Sequence, residues 1–258
     1  MQDRIKPLDG VLNFRDFGGY ATRDGGEVVR DKLFRTASFA EATPKDMAWL
    51  EQLGARFVVD LRRPEERTDA PNLWPGDGLR VVTNDDGYKE LPADAGVLTQ
   101  NDLTADSARD YMRTAYTHYP HEPRYVELFK AWLHGLADEG GPAIVHCAAG
   151  KDRTGVACFL VLTALGVDRD TIIEDYELTN VAIDLDKRLP EVRARLASRL
   201  GKEISDEAIR PMLGVHIDYL SAAIDAMESR HGDVPSYMKA VLDVDDEMVA
   251  TLRDHFVR

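Results

Sequence analysis

The segment from Pro142 to Gly155, P-A-I-V-H-C-A-A-G-K-D-R-T-G, constrains this chain more than any other. A short apolar run, Ala143-Ile144-Val145, ends at His146-Cys147. A loop of small and charged residues follows, and an apolar segment beginning at Gly155-Val156 then reads as helix. A strand that turns through such a loop into a helix N-terminus gathers several backbone N–H groups, which together can hold an anion. The segment also biases the fold, because open α/β sheets place their ligands at the carboxyl ends of their strands.

Within that turn Cys147 and Arg153 bracket five residues. Backbone N–H groups, a helix N-terminus and nearby cations favour the ionised form of a thiol placed at the floor of such a cradle. A guanidinium in the first helical turn can fork onto two oxygens of one phosphate. The pair supplies a nucleophile and an anion clamp in line with it. Ala148, Ala149, Gly150 and Lys151 are then the substrate-binding wall of the loop. The lysine does not make this a nucleotide-binding Walker A loop, which would need Gly at Val145 and Ser or Thr at Asp152.

The stretch H-C-A-A-G-K-D-R-T-G resembles the signature loop of the cysteine-dependent protein tyrosine and dual-specificity phosphatases. Its G-K-D-R-T-G ending is similar to the atypical bacterial branch typified by mycobacterial protein tyrosine phosphatase B. Asn13-Phe14-Arg15-Asp16-Phe17-Gly18-Gly19-Tyr20 and Val58-Val59-Asp60-Leu61-Arg62 carry the same resemblance, which spans the chain and weakens in its C-terminal part.

The resemblance implies a metal-independent phosphomonoester hydrolase without a cofactor, working through a phosphocysteine on Cys147 with Arg153 following the phosphoryl charge. It implies that His146 tunes the cysteine, that Lys151 faces the substrate, and that Thr154 donates to the sulfur, unless its hydroxyl only caps the helix. Most relatives protonate the leaving group with an Asp on a separate upstream loop. Here that stretch centres on Tyr116, and the nearest upstream carboxylates are Asp110 and Asp106. The bacterial branch instead has an Asp where this chain has Asp152, the leading candidate for general acid. Asp110 and Asp60 remain alternatives, and Asp152 could equally be a structural partner of Arg15 or Arg62. Asp60, in the matching D-L-R motif, is expected at the pocket mouth or in a salt bridge with Arg62. Arg15 and Arg35 are expected in structural ion pairs, and Cys158 in the core.

The chain is read as one phosphatase domain over 1–258, of 258 residues and 44% hydrophobic. Its expected fold is α/β, a mostly parallel central sheet flanked by helices with an extended helical C-terminal part. Extended segments run through 11–40, with a turn at Asp24-Gly25-Gly26; strands are expected at Phe57–Val59 and Leu79–Val82. A helix opens at Thr43-Pro44 and stops at Gly54. Others are expected over 107–118, 122–137, 170–180, 185–200, 206–212, 215–228, 235–242 and 245–256. The polar stretch between Asp85 and Asp106 reads as a mobile loop. In the resembled branch a mobile helix pair covers the site, which would fall at about 185–214; a packed helical subdomain is the alternative.

A net charge of −14 excludes the basic footprint of a nucleic-acid binder, so the pocket must supply its own positive potential. A basic cluster, Lys187, Arg188, Arg193, Arg195, Arg199 and Lys202, reads as a solvated helix face or as a contact for an anionic substrate or headgroup. Two cysteines make no disulfide scaffold, and no apolar run is long enough to span a membrane. The expected setting is cytoplasmic, with export lacking a signal peptide left open. The expected substrate is a phosphorylated protein or a phosphoinositide. A catalytically silent phosphate-binding module and a sulfur transferase are the rival classes.

Overall fold

The computed structural model describes residues 2–74, 78–86, 104–201 and 203–258. Most of the stretch expected as a mobile loop lies outside these. The described strands form one sheet in the order β1 (Arg15–Asp16), β2 (Leu33–Thr36), β5 (Ala143–His146), β3 (Phe57–Asp60), β4 (Arg80–Val82). All neighbours are parallel except β1, which runs antiparallel to β2 at one edge. In register, Thr36 and Asp60 lie on either side of His146. Three strands therefore end together, and Cys147 leaves the sheet between the outer two.

Side chains alternate between the faces of the sheet. Leu33, Phe57, Val59, Ala143 and Val145 enter the larger core; Phe34, Val58 and Ile144 enter a smaller one on the other side. Because both faces are buried, these strands read as unbroken apolar runs.

The smaller core is covered by α1 (Pro44–Leu53). Its start is fixed by a capping box: Thr43 accepts from the Asp46 N–H and Asp46 accepts from the Thr43 N–H, with Pro44 in the first turn and Gly54 left-handed at the end. Beyond β3 comes the short α2 (Pro64–Asp69). The larger core is built on α4 (Pro123–Glu139) and α5 (Asp152–Ala164). Every residue of α5 from Thr154 to Leu162 is buried, as expected of a helix surrounded by other elements. Around it lie α3 (Ala105–His118), α6 (Arg169–Glu177), α7 (Thr179–Ala182), α10 (Ile217–His231), α11 (Val234–Val241) and α12 (Asp246–Phe256). The helix expected over 170–180 is thus two helices, parted at Leu178.

Between these stand α8 (Leu185–Leu200) and α9 (Asp206–Leu213). Pro190 falls in the second turn of α8 without ending it, and Asp184 before it is left-handed at φ 49°. The pair has a small apolar cluster of its own, centred on Leu189, Ile204, Ala208 and Ile209, apart from both main cores. α9 packs on α3, and α8 packs on α9. Among the described residues no helix is long and apolar enough to cross a membrane.

Candidate active site

The loop from Cys147 to Lys151 joins β5 to α5 at the carboxyl edge of the sheet. Its carbonyls are all held by the surrounding protein. His146 Nδ1 lies 3.1 Å from Cys147 O, and Ser38 N–H donates to Ala148 O at 3.1 Å. Asn13 Nδ2 donates to Ala149 O and Gly150 O, at 3.2 and 2.8 Å. Arg35 Nη2 donates to Gly150 O and Lys151 O, at 3.2 and 3.4 Å. By contrast, no N–H from Ala148 to Lys151 donates to an acceptor among the described residues. With carbonyls pinned away and amides unspent, the loop has the polarity of an anion cradle.

Gly150 makes this path possible. It has φ 66°, and a Cβ there would lie 2.2 Å from the Thr36 carbonyl. Cys147 is 1% exposed, at the floor.

Arg153 stands in the first turn of α5. Nη1 donates to Glu66 Oε2 at 2.6 Å and Leu61 O at 3.3 Å, and Nη2 donates to Glu66 Oε1 at 2.8 Å. Glu66 thereby occupies one edge of the guanidinium. The other edge, Nε–H with the second Nη2 hydrogen, has no partner among the described residues and suits a bidentate oxyanion. Burial alone would raise the Glu66 carboxyl; the charge and hydrogen bonds of Arg153 outweigh it and bring the pKa down to about 2. Nothing in the sequence marked Glu66 beyond its place four residues after Arg62.

Beneath the loop two further groups hold it. Asp175 Oδ2 accepts from Arg35 Nη1 at 2.9 Å, Oδ1 lies 3.5 Å from Arg15 Nε, and Tyr20 donates to Oδ1 at 3.1 Å. Burial would raise the Asp175 carboxyl, but Arg15 and Arg35 hold it below the usual carboxylate range. The expected ion pairs of Arg15 and Arg35 are therefore made, to Asp175, a partner the sequence did not single out.

On the other side Asp60 is 1% exposed and closed by Arg62 at 2.8 Å. It lies under the loop, in the salt bridge that was one of its two expected places, and not at an open mouth. Asn72 Nδ2 reaches Asp60 Oδ2 at 3.3 Å and His146 Nε2 at 3.2 Å. Because Nδ1 faces a carbonyl and Nε2 faces an amide N–H, the imidazole fits a neutral, Nδ1-protonated form. Burial holds its pKa below the ordinary value. The edges of Phe39 and Trp74 close around it.

Lys151 and Thr154 depart from expectation, and Asp152 departs from one of its two expected roles. The Lys151 ammonium donates to Met212 O and to Gly214 O at 3.2 Å, so it ties the loop to the end of α9. The Thr154 hydroxyl is buried and has no hydrogen-bond partner among the described residues, neither sulfur nor cap. Asp152 pairs with neither Arg15 nor Arg62: Tyr116 donates to its Oδ1 at 2.9 Å, and Lys151 Nζ lies 3.4 Å from its Oδ2. The alternative carboxylates Asp106 and Asp110 are exposed on α3. Cys158 is a buried core residue whose thiol is pushed up to about 12, first by burial.

A cavity of about 280 Å³ lies between the loop and the helix pair, lined in part by Ala148, Ala149, Lys151, Arg188, Val192 and Met212. Of the basic cluster Arg188 reaches it, whereas Arg193 pairs with Asp206 and Arg195 with Glu191. No group of three or more His, Cys, Asp or Glu side chains suited to a metal occurs among the described residues.

The profile of the tyrosine phosphatase family matches residues 6–258. A protein of Cupriavidus necator named as a candidate tyrosine-protein phosphatase is 31% identical over 250 residues, 97% of this chain and 87% of its own. The triple specificity protein phosphatase PtpB of Mycobacterium tuberculosis is 29% identical over 270 residues, across 91% of this chain and 93% of its own. A tyrosine-protein phosphatase of Nostoc commune is 26% identical across 83% of this chain and 70% of its own.

Proposed function

This chain belongs to the tyrosine phosphatase family, and from that premise we propose that it cleaves phosphotyrosine and related phosphomonoesters through a phosphocysteine on Cys147. The sulfur attacks phosphorus, the P–O bond to the leaving group breaks, and Asp152 gives that oxygen its proton. Water then attacks the phosphocysteine, passes a proton to Asp152, and the sulfur leaves as thiolate. Loop amides and the unspent edge of Arg153 hold the phosphoryl oxygens through both steps.

One observation carries this reading. Every carbonyl of the Cys147–Lys151 loop is engaged by Asn13, Arg35, Ser38, His146 or Gly155, and its amides from Ala148 to Lys151 are not. A sulfur transferase would also place a cysteine in such a loop, but the fork of Arg153 suits a phosphate better. The Arg188 guanidinium beside the cavity keeps phosphoinositides among the substrates to be tried.

Hydrolysis of an aryl phosphate in the presence of a chelator tests the proposal. Cys147→Ser should abolish turnover, and rapid acid quench of the wild type should trap a phosphorylated enzyme. Retention of more than a trace of activity by the variant would refute it. A panel of phosphotyrosine peptide, phosphothreonine peptide and phosphoinositide substrates then ranks the substrate classes.

The helix pair α8–α9 is read as a lid within the single phosphatase domain. Its separate apolar cluster, the left-handed Asp184 and the cavity beneath it support this. Hydrogen exchange with and without phosphate tests it: uniformly slow exchange over 185–214 in the free protein would overturn it.

A further inference from the structure

We infer that Tyr116 and Tyr176 are positioning residues for Asp152, a chain of two hydroxyls that fixes the orientation of its carboxyl. The inference rests on the reading of Asp152 as general acid. Three elements converge to build the chain: Tyr116 from α3, Tyr176 from α6 and Asp152 at the start of α5. Tyr116 donates to Asp152 Oδ1 at 2.9 Å, and the two tyrosine hydroxyls lie 2.7 Å apart.

The direction of the chain follows from proton counting. A phenol has one proton to give, and that of Tyr116 goes to the carboxylate, so its oxygen accepts from Tyr176. Both tyrosines are buried. Burial first, and then the nearby Asp152 charge, push both hydroxyls well above their ordinary pKa, so they stay protonated donors.

Packing shows that the arrangement is made and not incidental. A Cβ on Gly155 would lie 2.8 Å from the Tyr176 ring, so a glycine one turn into α5 is what admits that ring. Tyr119 and Tyr219 pack around Tyr116 with tilted rings, at centroid distances of 5.2 and 5.9 Å. A phenylalanine would fill either ring site equally well; the hydroxyls matter only for what they hydrogen-bond.

The groups facing Asp152 are Lys151 beside it, Tyr116 of α3 and Tyr119 just past its end, Tyr176 of α6 and Tyr219 of α10. Lys151 and Tyr116 take one oxygen each, and the N-terminus of α5 adds its dipole. A carboxyl so held keeps a rotamer that does not depend on bound substrate.

The test is the pH dependence of kcat/KM for phenyl phosphate, a poor leaving group, and 4-nitrophenyl phosphate, a better one. Losing the Tyr116 hydroxyl removes a charge-assisted hydrogen bond. In Tyr116→Phe the basic limb for phenyl phosphate should therefore move up by about one pH unit. Tyr176→Phe, which removes a donor one step away, should move it the same way by less. Neither should shift the limb further in an Asp152→Asn background. If Asp152→Asn fails to slow phenyl phosphate more than 4-nitrophenyl phosphate, the general-acid reading falls. If Asp152→Asn behaves as the loss of an acid while both tyrosine variants keep the wild-type limb, the tyrosine assignment alone is overturned.

Discussion

Asp175→Asn is the perturbation that most directly probes how the cradle is supported. The Asp175 carboxylate is 1% exposed and lies between two guanidiniums that are fully buried, with the Tyr20 hydroxyl as a third donor. An asparagine keeps the volume and one acceptor oxygen. It removes the charge and turns an N–H₂ group toward one of the arginines. Removing one partner from a buried ion pair costs about 3 to 5 kcal/mol, because the remaining charge is left uncompensated. Here two charges are left. Against a total stability of about 5 to 15 kcal/mol this is a large share. With a urea dependence of about 1 to 3 kcal/mol per molar, the midpoint should fall by roughly 1 to 5 M.

Activity should fall with it, even well below the unfolding transition. Arg35 is held at Nη1 by Asp175 while its Nη2 holds Gly150 O and Lys151 O, so freeing the first end loosens the second. Urea titration followed by circular dichroism, with kcat/KM for an aryl phosphate in low urea, gives both readouts. The sign with pH is also fixed. The Asp175 carboxyl is depressed in the folded protein, so its contribution is present above the ordinary carboxylate pKa and is lost as pH falls through the folded value. The variant should show a flatter stability profile at acid pH. A midpoint shift below about 0.3 M, or an unchanged kcat/KM, would refute the reasoning.

Gly150→Ala should fold with a loss of about 1 to 3 kcal/mol and lose most of its phosphate affinity, because the loop must leave the Thr36 carbonyl and a left-handed conformation; wild-type inhibition by inorganic phosphate in the variant would count against it. Glu66→Gln should flatten the stability profile between pH 4.5 and about 2, where the depressed carboxyl of the wild type takes up its proton and loses a contribution of about 3 kcal/mol. Urea midpoints at pH 3 and pH 7 check this, and an unchanged difference between them would contradict it. Cys158, with its thiol pushed up to about 12 and 1% exposed, should remain unlabelled by iodoacetamide at pH 8 in the native protein. Mass spectrometry of the digested protein decides.

Much of this was legible in the chain because the signals are local. A capping hydroxyl, a proline in the first turn and a terminal glycine bracket α1 within a dozen residues, and apolar periodicity gave most of the C-terminal helices. The strand–loop–helix around Cys147 is likewise contiguous. What could not be read depends on contacts far apart in sequence. Glu66 meets Arg153 across 87 residues, and Tyr116 meets Asp152 across 36. Neither spacing is a period of any element, so no pattern announces it. Lys151 misled for a related reason: a lysine in an anion loop invites a substrate role, but its long side chain reaches carbonyls at the end of α9 that only tertiary packing brings near. Asp60 sat at a strand end as anticipated, yet the sheet places that end beneath the loop beside His146, where a carboxylate needs Arg62 more than it needs solvent.

The charge arrangement resolves the tension between an acidic chain and an anionic substrate. At net −14 the surface field opposes a phosphate dianion, but surface charges act through water and are screened within about 10 Å at moderate salt. The buried groups at the loop are not. Arg15, Arg35, Lys151 and Arg153 are countered there by Asp175, Asp152 and Glu66, leaving an excess of positive charge beside the amides of the cradle. Local excess of that kind survives salt, so raising ionic strength should weaken the surface repulsion more than the pocket attraction. kcat/KM for a small dianionic phosphate should therefore hold or rise modestly from low to moderate salt, and a steep fall would mean that exposed cations, and not the buried set, capture the substrate.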